Sequence, residues 1–490
     1  MRLSALLLAG TAIIAIVPQA NAAASSSTPS TEQLQNQIDQ LNQELQDLKR
    51  SQSAQYDDSQ RQALETQKAI DEAAKKSASN NGVQVSLKNG RPSFKSADGN
   101  FTAEIRSLVQ FDNAYYGQGK APAGTDLSSG SDFRRARLGI QGTLFHDWSY
   151  QFIYDFGGSG TEGAAISSAY IQYDGLGPVH WKIGAYPTPE SFDDTTAASD
   201  LLFLERAQPT DLARGLAGSD GRAGTTLFAY GDDYYVAASY TGDLVQDSAV
   251  FDEQQAAVGR VAWRVFHDGD SNLAIGGDTT YIFKLADTAA GANAPDLVRL
   301  RERPELNVDD NSIRLIDTGN LNANDVWEWG LEAAGNLHNF YAQGGYFNFD
   351  VGRRASALPD PSFDGWYLQG SWVLTGEAKP YITSTGSYGL PKPDSEFSFD
   401  HPGIGAWEIA GRYSVLDLDY NAGIAGHATP TGGIRGGEQK IWTAGVNWYP
   451  NNAIRFVLDY QHVDVSKLSA AGGDAGATLD DVSFRVQLSL

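Results

Sequence analysis

Of the 490 residues none is cysteine, and the only methionine is Met1. Without cysteine there can be no disulfide, no Cys-ligated zinc, no iron–sulfur cluster and no thiol chemistry. Basic residues are scarce: 36 Lys and Arg stand against 60 Asp and Glu, a formal charge of −24. Sequence-independent binding of nucleic acid needs a basic face to neutralise phosphates, so no nucleic-acid partner is expected. Beyond the first twenty residues there is no run of 18 apolar residues, which excludes helical membrane spans. The seven histidines form no H-E-x-x-H motif and no tight group, so neither a metal nor a cofactor is implied. What is plentiful is glycine, at 52, and aromatics, with 22 Tyr, 21 Phe and 10 Trp. Two classes remain: a secreted β-rich protein or an outer-membrane β-barrel.

The first residues address the compartment. Arg2, the apolar stretch Ala5 to Val17 and the small-residue exit Ala20-Asn21-Ala22 read as a secretory signal peptide over residues 1–22. Residues 23–82 read as a periplasmic linker. Within it Leu34, Ile38, Leu41, Leu45 and Leu48 alternate at spacings of 4 and 3, which predicts a short coiled-coil helix over about residues 31–50. Residues 51–80 are rich in Gln, Ser, Ala and Lys and read as a spacer.

From Val83 the texture turns to period two. Phe101, Ala103, Ile105, Val109 and Phe111 share one side, opposite Glu104, Arg106 and Gln110. Val261, Trp263 and Val265 stand opposite Arg260 and Arg264; Trp442, Ala444, Val446 and Trp448 stand opposite Thr443 and Asn447. One face is apolar and aromatic while the other bears full charges. A soluble sandwich also alternates, but Trp and Tyr gather near strand ends, as in an interfacial girdle, and strands of about ten residues recur. Residues 83–490 are therefore predicted to form an all-β transmembrane barrel of about sixteen antiparallel strands. Trp442–Tyr449, a short turn at Pro450 and Ile454–Tyr460 make the clearest hairpin. Long inserts at 116–131, 186–222, 285–325, 350–362 and 421–437 read as loops of the opposite, extracellular end. The last strand, Val482-Ser-Phe484-Arg-Val486-Gln-Leu488-Ser-Leu490, alternates to its end and resembles the terminal strand read by barrel-assembly machinery, with Leu where an aromatic is usual. Gly158-Ser-Gly160-Thr-Glu-Gly163 matches a nucleotide-loop pattern, but strand-like residues follow it, so it reads as a loop.

Several segments resemble the phosphate-selective porin O and P family of Gram-negative outer membranes. They are Phe133-Arg-Arg-Ala-Arg-Leu-Gly139, Trp148-Ser-Tyr-Gln-Phe-Ile-Tyr-Asp-Phe156, Ile183-Gly-Ala-Tyr with Pro189-Glu-Ser-Phe, Phe203-Leu-Glu-Arg-Ala207, Tyr413-Ser-Val-Leu-Asp417, Gly436-Gly-Glu-Gln and Asn447-Trp-Tyr-Pro, in family order. The resemblance spans about residues 83–490. It implies a homotrimer of sixteen-stranded barrels in outer-membrane lipid, with loops folded into each pore and basic side chains drawing phosphate, pyrophosphate or other small inorganic anions through.

Anion-selective pores use Arg or Lys in the lumen, because a guanidinium offers paired donors to phosphate oxygens. Arg135 and Arg137 share one strand face opposite Ala136, Leu138 and Ile140, so they are predicted to point inward, and Arg106 follows by the same parity. Arg299, Arg301 and Arg303 are spaced two apart and would line one side of an extended segment, resembling the family's arginine ladder. Asp155, inward by parity, resembles the carboxylate that members place beside the phosphate site. Lumen arginines also pair with lumen carboxylates, and Glu104, Glu328, Glu332, Glu408 and Asp459 are available; Arg206, Arg260, Arg264 and Arg412 fit such wall ion pairs. Two departures stand out. Where members carry a loop lysine in G-x-F-K-x-P, this chain reads Gly184-Ala-Tyr-Pro187-Thr-Pro189, and the loop that follows is acidic at Glu190, Asp193, Asp194, Asp200 and Glu205. The alternatives are a weakly selective diffusion porin, an outer-membrane hydrolase and an envelope tether.

Overall fold

The period-two pattern closes on itself. The computed structural model describes residues 82–490 except 89, 123–124, 159–164, 247–250, 292–295, 310–312 and 355, together with scattered positions between 42 and 72. The chain divides into the units Met1–Glu72 and Ala73–Leu490. In the first, residues 42, 43, 45, 46, 49, 50, 61, 64–68 and 72 are helical and exposed. The signal-peptide segment, the rest of the coiled-coil stripe and most of the Gly158–Gly163 loop lie outside the described residues.

The second unit begins with a hairpin of β1 (Gln84–Lys88) and β2 (Arg91–Lys95), which pairs with the foot of β3 (Thr102–Lys120). There follow β4 (Gly130–Leu144), β5 (Trp148–Asp155), β6 (Ala165–Leu176), β7 (Val179–Ala185), β8 (Arg222–Tyr230), β9 (Tyr234–Leu244), β10 (Gln255–Asp268) and β11 (Ser271–Lys284). The next loop holds the two-residue strands β12 (Leu297–Val298), β13 (Arg301–Glu302) and β14 (Ile316–Asp317). Then come β15 (Leu321–Leu337), β16 (Phe340–Arg353), β17 (Ser362–Val373), the short β18 (Tyr381–Ile382) and β19 (Ser387–Tyr388), β20 (Ala406–Tyr420), β21 (Ile434–Tyr449), β22 (Ile454–Ser466) and β23 (Ala477–Ser489). Sixteen of these, β3 to β11, β15 to β17 and β20 to β23, pair antiparallel in sequence, and β23 returns to β3. Closure leaves no edge unpaired among these sixteen strands, which is what lipid demands of a sheet.

The faces sort as the alternation predicts. Val261, Trp263 and Val265 are 56%, 61% and 44% exposed on the outside, while Arg260 and Ala262, which alternate with them, are 3% and 2% exposed inside. At the end carrying the short turns, ring pairs Trp407–Trp448, Trp448–Phe456 and Phe340–Trp372 lie 5.4, 5.3 and 5.4 Å apart, forming an aromatic belt. Two-residue turns fit there because their backbones accept positive φ: Gly177 at +73° before Pro178, and Gly269 at +55° before Asp270.

The interior is not polar throughout. The β7–β8 loop, residues 186–221, enters the barrel and carries α1 (Phe192–Thr195) and α2 (Gln208–Ala217). Its Leu204, Leu212 and Leu216 pack on inward Phe347, Phe349, Phe363 and Leu416, so part of the lumen is a hydrophobic core. A second insert departs from the sequence expectation. Residues 374–405, between β17 and β20, leave from the short-turn end and also fold inward. Arg260 donates to the carbonyls of Thr385 and Gly386, both at 2.6 Å, and the Tyr388 hydroxyl reaches Asn272 Oδ1 at 2.6 Å. The two inserts meet where Ser387 Oγ approaches the Thr195 carbonyl at 3.4 Å.

Candidate functional site

A loop that crosses a barrel carries backbone carbonyls away from bulk water, and each needs a donor. Here arginines supply them. Arg455 on β22 donates to Leu201 O at 2.6 Å and Leu202 O at 2.9 Å; Arg485 on β23 reaches Leu204 O at 2.6 Å; Arg412 on β20 reaches Glu205 O at 3.0 Å. Arg206, on the loop itself, binds the carbonyls of Asp193, Asp194 and Thr196 at 3.0–3.1 Å. The five donors of a guanidinium fit such a cluster, and these residues hold the loop rather than a solute. Arg412 also makes the expected ion pair, with Glu305, and Arg264 pairs with Asp233 at 3.2 Å; Arg260 instead serves the second insert.

Between the loop and the wall formed by β3 to β8 lies a cavity of about 470 Å³. Arg106, Arg135, Arg137, Lys182, Arg206 and Arg214 line it, against the carboxylates Asp194 and Asp220. Three of the sequence-predicted arginines thus share one cavity. A register shift opposite Gln110 and Phe111 adds a fourth to the interior: it leaves Arg134 as an extra residue between Phe133 and Arg135 and turns its side chain inward. Simple parity sends Arg134 outward, so this bulge was the signal that alternation could not carry.

The arginines of β4 are engaged. Arg135 donates to Gln110 Oε1 at 2.8 Å and stands 3.4 Å from Glu205. Glu205 also takes Arg134 at 2.9 Å and Arg485 at 3.0 Å, and Arg485 grips Asp112 on β3 through two bonds of 2.6 Å. Burial would raise the Glu205 carboxyl, but these three guanidinia outweigh it and hold the group well below the usual carboxylate range. Arg137 pairs with Asp155 at 2.7 Å and with Asp220, and Arg214 joins Asp220 and Asp194, both at 2.8 Å. Against its own burial, Asp220 is likewise driven far down by Arg137 and Arg214. Asp155 spends its other oxygen on the amides of Ala136 at 2.9 Å and Gly157 at 3.0 Å, so it fastens the end of β5, where the β5–β6 loop begins, to β4.

Arg106 and Lys182 differ. Among the described residues neither side-chain cation donates a hydrogen bond or makes an ion pair. Lys182 Nζ lies over the rings of Tyr170, Tyr186 and Phe228, at 4.6, 5.2 and 5.3 Å. It alternates with outward Trp181 and Ile183 on β7, so the rule that selected Arg135 would have selected it too.

The arginines of the β11–β15 loop sit apart from this cavity. Arg299 and Arg301 are exposed and Arg303 is half-buried, while Leu300 and Glu302 between them are buried. Arg299 bonds Asp317 through two nitrogens, one at 2.8 Å. Arg303 borders a recess of about 20 Å³ with Arg134, Glu205 and Arg206. Glu302, next to it, is pushed up to about 8 by burial and by Asp211.

A family model described as phosphate-selective porin O and P matches residues 105–490. Porin O of Pseudomonas aeruginosa is 26% identical over 414 residues, covering 80% of this chain and 88% of that one. An uncharacterised protein of Caulobacter vibrioides is 27% identical over 395 residues, covering 76% and 71%. Among solved structures, an anion-selective porin from Comamonas acidovorans aligns over 80% of this chain and all of that one, with a TM-score of 0.50 and 13% identity, a likeness of fold.

Proposed function

The chain belongs to the phosphate-selective porin O and P family, and from that premise we propose that its barrel passes small anions by passive diffusion, phosphate and pyrophosphate among them. Membership makes it an outer-membrane porin, a channel and not an enzyme. The observation that carries the anion reading is the charge of the cavity. Six cationic side chains face two carboxylates there, in a chain whose formal total is −24. Low-dielectric walls focus that local field, so the charge at the narrow place outweighs acid spread over the rest of the molecule.

In this reading Arg106 and Lys182 offer the donors that replace part of a solute's hydration shell, since both lack a carboxylate partner. Arg135 and Arg137, already paired, set the field and the shape, and Asp155 fixes Arg137. Arg299 and Arg301 present charge along the approach, with Arg303 at its inner end. The molecule is further proposed to be a homotrimer in outer-membrane lipid with its N-terminal segment in the periplasm, as the resemblance implies. A weakly selective porin is the second reading, favoured by the number of lumen arginines held in ion pairs.

Planar-bilayer recording decides. In a tenfold salt gradient an ideally anion-selective pore reaches a zero-current potential of about 59 mV. A potential of the cation sign would overturn the proposal. Chloride current unaffected by phosphate would leave a general anion pore.

A further inference from the structure

The cavity has two unlike walls. One is the guanidinium side, with Arg106, Arg135 and Arg137. The other is aromatic: Tyr170 and Tyr186 meet edge to face at 5.7 Å, and His180 stacks against both Phe228 and Tyr230, at 4.9 and 5.0 Å. Tyr170, Tyr186, Phe228 and Tyr230 all line the cavity. Lys182 rises out of this wall, and Tyr170 lies between the two unpaired cations, under Lys182 Nζ at 4.6 Å and within electrostatic reach of Arg106. The volume, about 470 Å³, falls within the range of sites that enclose small organic ligands.

Inorganic phosphate gains nothing from the ring faces of the aromatic side, where only Lys182 and the tyrosine hydroxyls can donate. Its hydration shell can be replaced only by donors, and ring faces have none. A flat organic acid uses both walls. Its carboxylate takes two parallel hydrogen bonds from a guanidinium, and its ring stacks or meets edge to face with a tyrosine or phenylalanine. A lysine over aromatic faces keeps all three N–H donors for that carboxylate, because rings satisfy the charge but accept no strong hydrogen bond. Pro187 stands where the resemblance would put a loop lysine, and Pro187 and Lys182 line the same cavity. The cation is therefore supplied from the wall, in aromatic company, rather than from the loop.

We propose that Arg106, Lys182 and the Tyr170–Phe228 wall form a binding station for aromatic monocarboxylates of benzoate type, which pass through this porin. The station rests on the anion reading given above and adds a class of substrate to it. The two claims separate in one set of recordings, because the zero-current potential reports anion preference while block of chloride current reports the station. Benzoate blocks at a concentration about tenfold below acetate, which has the same head group and no ring. Lys182→Met keeps the stem packed against the rings and removes the donors, so benzoate block weakens about tenfold and Lys182→Arg restores it. Phe228→Leu brings benzoate toward acetate. Equal block by benzoate and acetate in the natural protein overturns the station while leaving anion preference standing. So does benzoate block unchanged in Lys182→Met. If that variant fails to insert, the benzoate-to-acetate comparison on the natural protein decides alone.

Discussion

Glu205 is the carboxylate on which three guanidinia converge, and replacing it tests whether pairing or free charge governs the pore. Glu205→Gln keeps the shape and removes one negative charge. At about 4 Å and an effective dielectric near 20, each ion pair contributes roughly 4 kcal/mol of Coulomb attraction before desolvation is subtracted. With Arg134 at 2.9 Å, Arg485 at 3.0 Å and Arg135 at 3.4 Å, the group holds a large electrostatic energy locally. Loss of a buried partner costs roughly 3–5 kcal/mol, which a sixteen-stranded barrel survives with a lower unfolding temperature on heated gels. For a permeating ion roughly 8 Å away, one charge in a water-like medium is worth about 0.5 kcal/mol unscreened and about 0.2 kcal/mol at about 0.1 M salt, of opposite sign for anion and cation. The anion-to-cation permeability ratio should rise about two- to fivefold, most at low salt, read as a shift of zero-current potential toward the anion limit. An unchanged or reduced anion preference would refute the view that cavity charge, and not a fixed arginine site, sets selectivity.

Other outcomes follow from the same geometry. Arg455→Ala leaves the Leu201 carbonyl without a donor, at roughly 1–3 kcal/mol, and the Leu202 carbonyl with Asn447 Nδ2 at 3.1 Å alone; single-channel traces should become noisy while the barrel stays folded, and quiet traces would count against the loop-clamp role. Raising pH from 7 to 9 ionises Glu302, whose pKa is pushed up to about 8, adds negative charge beside Arg303, and should lower anion preference; Glu302→Gln should abolish the step. The folded state keeps that proton longer than the unfolded chain does, so this group's contribution to stability is full below about pH 4.3 and is lost progressively up to pH 8. Gly184→Ala would place a Cβ 2.3 Å from the Ala169 carbonyl at a φ of +143°, where the chain leaves β7 for the lumen, so folded barrel yield should fall sharply by gel mobility.

Parity made the barrel legible because side chains alternate strictly along a strand, and it carried Arg106, Arg135 and Arg137 to one cavity from local sequence alone. It had no access to register. The bulge that turns Arg134 inward depends on how β3 and β4 pair, and no spacing within β4 reveals it. Parity also says which way a side chain points, not what waits there. Arg455 and Arg485 point inward like any lumen cation, yet each also reaches a loop carbonyl more than 250 residues away. The insert at 374–405 is illegible for a different reason: the architecture expects long segments at the end opposite the short turns, and this one leaves from the short-turn end.

The β23–β3 pairing bears on how the molecule is assembled. Arg485 and Asp112 are separated by 373 positions, so their contact carries the entropic cost of joining the two ends of the barrel sequence and belongs late in folding. The same guanidinium also holds the Leu204 carbonyl. Docking of the lumen loop and sealing of the cylinder therefore share one side chain, and a barrel still open at its seam lacks part of the loop's anchorage.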